Sequence, residues 1–271
     1  MEETKFIQYK NKKIFCRCYG KGKAVVLLHG LPVDGDIWKE QAEILKDYFH
    51  LIIPDLPGSG RSEMLANGNT LPTGRQISID DYAELIKAIL DEEKISQCTM
   101  IGHSMGGYIT LAFAEKYPEL LNGIGLFHSS AFADDEEKKQ TRRKTIEFVQ
   151  KNGIEAFLQT MIPNLFAENK HQNKINELIN DGKRLSAKSL IQYYYAMINR
   201  PDRTDILKTF LNPVLFIIGE KDTAIPLNIS LQQCHLPKIA HVNILKDVGH
   251  MGMIEKSARS TDMLLSFLQK I

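Results

Sequence analysis

Gly102-His103-Ser104-Met105-Gly106 is a G-x-S-x-G segment, and a serine held in that setting can attack an acyl carbon. The preceding residues 97–101 read as a short buried strand. The following residues 107–117 read as a helix stopped by Pro118. So abrupt a turn from strand to helix demands strained backbone angles at Ser104 and leaves little space beside it. Glycines at 102 and 106 meet that demand. The same turn sets the Met105 N–H at a helix N-terminus, where it can donate to a developing oxyanion.

Such a serine needs a base, and the base needs a group to orient it. Eight histidines compete. His29 follows the first core strand, His103 is inside the elbow and His128 ends a strand; His50, His171, His235 and His241 have no special setting. His250 lies in the loop between the last strand and the last helix, which opens at the same sheet edge as the elbow, so it is the expected base. The orienting acid should lie between Ser104 and His250 in the chain. Asp222 and Glu220 both follow the strand 213–219. Glu220 sits close to the strand end, whereas Asp222 stands further out and is preferred; Asp134 and Asp135 are held in reserve.

Several elements must carry these groups. Segments 5–10 and 12–19 form a hairpin through Asn11. Residues 24–29, 51–55, 121–127, 213–219 and 242–245 read as further strands. Helical stripes cover 37–45, 78–94 and 255–270, with Tyr82, Leu85, Ile86 and Ile89 at helical spacing in the second. Strand and helix alternate, so the fold class is α/β, with a mostly parallel central sheet flanked by helices. Residues 131–205 interrupt the alternation with helical stripes only. That block reads as a cap, or lid, inserted into a core of residues 1–130 and 206–271. The charge run 134–139 opening it reads as a solvated first turn.

Composition excludes other classes. In 271 residues, Lys and Arg number 34 against 33 Asp and Glu, so no basic surplus suggests nucleic acid. No apolar stretch is long enough for a membrane helix, and the N-terminal residues lack a signal-peptide pattern. Cys16 and Cys18 share a strand face, yet with Cys98 and Cys234 they make no zinc pattern; free thiols and a cytoplasmic location are expected. Gly58-Ser59-Gly60 reads as a tight loop with Arg61 rather than a phosphate cradle. Of Tyr193, Tyr194 and Tyr195, one or two should pack inward.

Across nearly its whole length the chain resembles the α/β-hydrolase fold superfamily, among its lid-bearing serine esterase and lactonase-like members. The matching residues are His29-Gly30, the D-x-P-G-x-G-x-S of 55–62, the G-H-S-M-G-G of 102–107, the G-x-x-D of 219–222 and Gly249-His250. The resemblance implies Ser104 as nucleophile, His250 as base, Asp222 as acid, and an oxyanion hole from the Leu31 and Met105 N–H groups. His29-Gly30-Leu31-Pro32 departs from the H-G-G-G of bulky-ester lipases. The expected reaction is cleavage of a small carboxylic ester or lactone through an acyl-enzyme, needing neither metal nor cofactor. A second reading puts the same serine on a C–C bond, thioester or amide, or in acyl transfer. A third is a hydrolase-like ligand receptor. The small-molecule acyl substrate is expected to meet an apolar pocket of Phe157, Leu158, Met161, Tyr194 and Met251, with Leu31 beside it. Oligomeric state is not readable from the sequence.

Overall fold

The computed structural model describes residues 2–68 and 70–271. Eight strands form one sheet: β1 (Glu2–Tyr9), β2 (Lys12–Tyr19), β3 (Ala24–Leu28), β4 (His50–Pro54), β5 (Cys98–His103), β6 (Leu121–Phe127), β7 (Val214–Gly219) and β8 (Ala240–Leu245), in the order β1-β2-β4-β3-β5-β6-β7-β8. β1 and β2 pair antiparallel through a turn in which Lys10 and Asn11 both take positive φ, the form that suits a two-residue hairpin. β2 joins β4 antiparallel, and every pairing from β4 to β8 is parallel. β5 and β7 are buried throughout, as strands covered on both faces are, and β7 is an unbroken apolar run.

Ten helices cover the described chain: α1 (Lys39–Leu45), α2 (Ile79–Glu92), α3 (Met105–Lys116), α4 (Glu136–Met161), α5 (Gln172–Gly182), α6 (Ala187–Ile198), α7 (Thr204–Thr209), α8 (Leu227–Gln233), α9 (Gly252–Glu255) and α10 (Ser257–Leu268). α2 opens with a capping box between Ser78 and Asp81. The helix expected over 37–45 is split, because a 3₁₀ turn at Gly35–Trp38 precedes α1. Trp38 is fully buried, edge-on to Phe127, and belongs to the core. The closing helix likewise divides into α9 and α10.

Between β6 and β7 the described residues contain helices and no strand, as the missing β pattern of 131–205 predicts. α4 breaks at Gly153, whose φ of 81° lies outside the helical region. α6 packs on α4, and the two carry side chains toward the C-terminal edge of the sheet.

Candidate active site

Ser104 joins β5 to α3 with φ 51° and ψ −116°, the strain that the G-x-S-x-G spacing predicts. A Cβ on Gly102 would lie 2.2 Å from the Gly106 backbone, and one on Gly106 would lie 2.6 Å from the Leu28 carbonyl oxygen. Neither position admits a side chain, so the glycines are needed for close approach. The Ser104 N–H donates to the Phe127 carbonyl, and Ser129 Oγ donates to the Ser104 carbonyl at 2.7 Å. Met105 begins α3, in the turn whose N–H groups have no intrahelical acceptor.

His250 and Asp222 meet in the loops after β8 and β7. Asp222 Oδ2 lies 2.8 Å from His250 Nδ1, while Oδ1 accepts from the Ala224 and Ile225 N–H groups, each at 2.9 Å. Burial alone would raise the Asp222 carboxyl. The charge of His250 and hydrogen bonds from His128 and His250 outweigh it and hold the group well below the usual carboxylate range. His128 Nδ1 lies 3.4 Å from the same carboxylate oxygen.

The His250 loop is held on three sides. Its N–H donates to the Leu165 carbonyl at 2.7 Å, its carbonyl sits 2.9 Å from His103 Nε2, and Glu255 Oε1 accepts from the Gly249 and Met251 N–H groups. Sequence reasoning passed over both His103 and Glu255. Only the nearness of Glu255 to the predicted base could have marked it. The loop bearing Leu31 is held by His29, whose Nε2 accepts the Leu56 N–H at 2.8 Å while Nδ1–H donates to the Gly30 carbonyl. The loop after β4 is tight rather than a cradle. Asp55 accepts from Arg17, Gly35 N–H and Arg61 N–H, and Tyr193 donates to the Pro57 carbonyl.

Ser104 and His250 border one cavity of about 240 Å³, together with Leu31, Met161 and Tyr194 among the expected lining residues. Phe157, Leu158 and Met251 do not border it. Phe157 packs edge-on against Tyr194 inside the helical layer, and Leu158 and Met251 are fully buried. The expected apolar lining therefore needs correction: Lys138, Thr141, Arg142, Thr145 and Thr223 also face this space. Positions 138, 141, 142 and 145 form one stripe of α4, a helical period visible in the sequence but disguised by its polar residues. The charge run at 134–139 is not merely a solvated turn, since Asp134 is buried between Arg142 and Arg200. Asp135, the other reserve acid, caps α4 by accepting from the Lys138 N–H. Glu220 accepts from the Asp247 N–H at the surface.

A larger cleft, about 570 Å³, lies beyond Pro32 among Arg17, Asp34, Asp36 and Lys174. It excludes Ser104 and His250, and charges within it pair with one another, as in Arg17–Asp36 and Lys174–Glu177. All four cysteines are free, and among the described residues no cluster of His, Cys, Asp and Glu could hold a metal ion. Among those residues no helix is long and apolar enough to cross a membrane.

Residues 23–257 match the alpha/beta hydrolase fold family. The chain belongs to that family. It is 29% identical to a putative 2-succinyl-6-hydroxy-2,4-cyclohexadiene-1-carboxylate synthase of Bacillus subtilis, over 92% of this chain and 91% of that one. It is 28% identical to lipase 1 of Psychrobacter immobilis, over 91% and 77% of the two. A thermophilic esterase from Thermogutta terrifontis superposes with a TM-score of 0.89 at 26% identity, covering 100% of this chain and 98% of the esterase. The protein is thus a hydrolase-fold enzyme, and esterases and lipases are among its relatives.

Proposed function

We propose that the protein hydrolyses a small carboxylic ester or lactone through an acyl-enzyme on Ser104. The observation that carries this reading is that the strained Ser104 and the Asp222-bound His250 border one small cavity. His250 takes the serine proton through Nε2 while Asp222, fully ionised, fixes Nδ1–H and steadies the imidazolium. The Leu31 and Met105 N–H groups receive the oxyanion, and water then repeats the cycle on the acyl-enzyme. The helices within 131–205 serve as the cap over a core of 1–130 and 206–271. A cavity of about 240 Å³ is small for a ligand site and suits a small acyl group. The same serine could serve another electrophile, a reading favoured by the relative named as a putative carbamate hydrolase in Acinetobacter baylyi, 27% identical over 96% of this chain.

A fluorophosphonate probe should label the wild type at Ser104 alone. Ser104→Ala should abolish labelling and lower kcat by roughly 10⁴-fold or more while the fold persists. Labelling that survives the substitution would overturn the assignment.

A further inference from the structure

Opposite Ser104 the cavity wall is positively charged, and nothing in ester cleavage itself requires that. Arg142 and Lys138 both border the cavity, and its lining includes neither Asp nor Glu. Arg142 Nε contacts Asp134 Oδ2 at 2.6 Å, and Arg200 Nη1 contacts the same oxygen at 2.9 Å. That carboxylate is fully buried, and the two guanidinium side chains are 13% and 4% exposed, so one anion serves two nearly enclosed cations. Lys138 Nζ donates to the Ala224 carbonyl at 3.1 Å, a neutral partner, and forms no salt bridge among the described residues. Asp222, behind His250, is committed to His250 and to two backbone N–H groups. Two cations, Arg142 and Lys138, thus face the cavity, and the one carboxylate that Arg142 contacts is shared with a third, Arg200, behind it.

Neighbouring groups respond to that excess. Burial alone would raise the Tyr108 phenol, but Arg200, Arg142 and Lys138 outweigh it and lower the group, although Asp134 opposes them. Arg200 also lies over the Tyr108 ring at 3.9 Å. The Thr141 and Thr145 hydroxyls donate back into α4, so the cations are the polar groups of that helix left to meet a ligand. Buried cations in excess of their counterions are costly unless an anion joins them, and guanidinium and ammonium groups hold carboxylates through charge-assisted hydrogen bonds.

We infer that the substrate carries a carboxylate, bound by Arg142 and Lys138 while its ester or lactone carbonyl lies at Ser104. The inference rests on Ser104 being the nucleophile. The enzyme is then selective for an acidic ester or lactone, and the carboxylate sits on either the acyl half or the leaving half.

Two matched pairs of substrates test this. Mono-p-nitrophenyl adipate against its methyl ester places the charge on the acyl half. 4-Acetoxybenzoate against its methyl ester places it on the leaving half. In one pair the carboxylate form should have a kcat/KM at least about ten-fold higher, the size of one charge-assisted contact. Lys138→Met and Arg142→Met should each pull that ratio toward one, and Arg142→Lys should keep part of it. Lys183→Met, at an exposed lysine paired with Glu155, should leave the ratio alone. Should Arg142→Met fail to fold with Asp134 half-paired, Lys138→Met carries the test. Preference for the neutral ester in both pairs, or a ratio indifferent to both charge losses, overturns the inference. Free adipate should also raise the wild-type Tm, and less so in Lys138→Met; no shift in the wild type counts against the site. Fluorophosphonate labelling of Ser104 in the same samples separates this failure from failure of the nucleophile itself.

Discussion

The two walls of the cavity are fixed by different means. On the sheet side, Ser104 and His250, with Asp222 behind His250, stand on loops fastened by backbone hydrogen bonds: Ser104 N–H to Phe127, Ala224 and Ile225 N–H to Asp222, His250 N–H to Leu165. On the helical side, Lys138, Arg142, Met161 and Tyr194 reach in as long side chains from α4 and α6. Under the proposed mechanism the first wall needs particular residues at particular turns, so replacing any one should disable a step. The second needs only a lining of suitable size and charge, and substitutions there should redirect the enzyme rather than stop it.

That contrast is tested most severely at Asp222. Asp222→Asn keeps the size of the side chain but removes the charge that fixes His250 Nδ1–H, and kcat should fall by roughly 10³–10⁴-fold. Glu220→Gln, on the same loop but with its carboxylate accepting from the Asp247 N–H, should stay near wild type in the same assay. The opposite ranking would move the acid to the wrong neighbour. Asp134→Asn is a different case: it unbalances two buried guanidinium groups and should lower Tm, whatever it does to turnover.

The asymmetry also explains what could be read from the sequence. The mostly parallel sheet, the elbow and the two other loops follow from residues whose role is local: glycines where a Cβ would clash, the apolar run of β7, and polar residues just past strand ends. The lining was only partly legible. Met161, Tyr194 and Leu31 do face the cavity, but Phe157 and Leu158, on the same helix as Met161, turn into the helical layer instead. Which face of α4 meets the sheet depends on how α4 packs against α6 and α5 and on the break at Gly153, none of which periodicity encodes. Lys138 and Arg142 were missed because charged residues at the start of a helix usually face solvent.

Substitutions within α4 should separate packing from specificity. Phe157→Ala should cost about 3–5 kcal/mol of stability, seen by denaturant titration, as a buried ring against Tyr194 is lost. It should leave the acyl-chain profile in place. Met161→Ala removes bulk from the cavity wall itself. In the wild type, kcat/KM for p-nitrophenyl esters should peak at about C2 to C6 and fall steeply by C12. In Met161→Ala the optimum should move to longer chains, by an amount worth about 1–3 kcal/mol per methylene. A profile that shifts in Phe157→Ala and holds in Met161→Ala would reverse the two roles.

The smallest effect separates the walls by pH. His29, His103 and His128 all lie on the sheet side, fully buried, and burial lowers the pKa of each; for His103 and His128 the nearby His250 adds to the lowering. Proton uptake therefore favours the unfolded chain, where a histidine is protonated below about 6.5, and stability must fall as pH drops through that value. Asp222, held low, adds a loss of the same sign, but only once the pH falls below about 4. In the interval from 6.5 to 4.5 the histidines drive the fall, against the Glu255 carboxyl, which burial raises and whose protonation there favours the fold. Each histidine contributes at most about 1.4 kcal/mol per pH unit, or roughly 2–4 °C in Tm for each kcal/mol in a chain of this size. His103 is the one to remove, because its Nδ1 is buried with no hydrogen-bond partner among the described residues, while Nε2 is engaged with the His250 carbonyl. His103→Gln should flatten the fall of Tm between pH 6.5 and 5 relative to wild type, even if it lowers Tm at neutral pH. An unchanged slope would mean that His103 takes up its proton within the fold, and that this wall of the site yields to acid more readily than its hydrogen bonds imply.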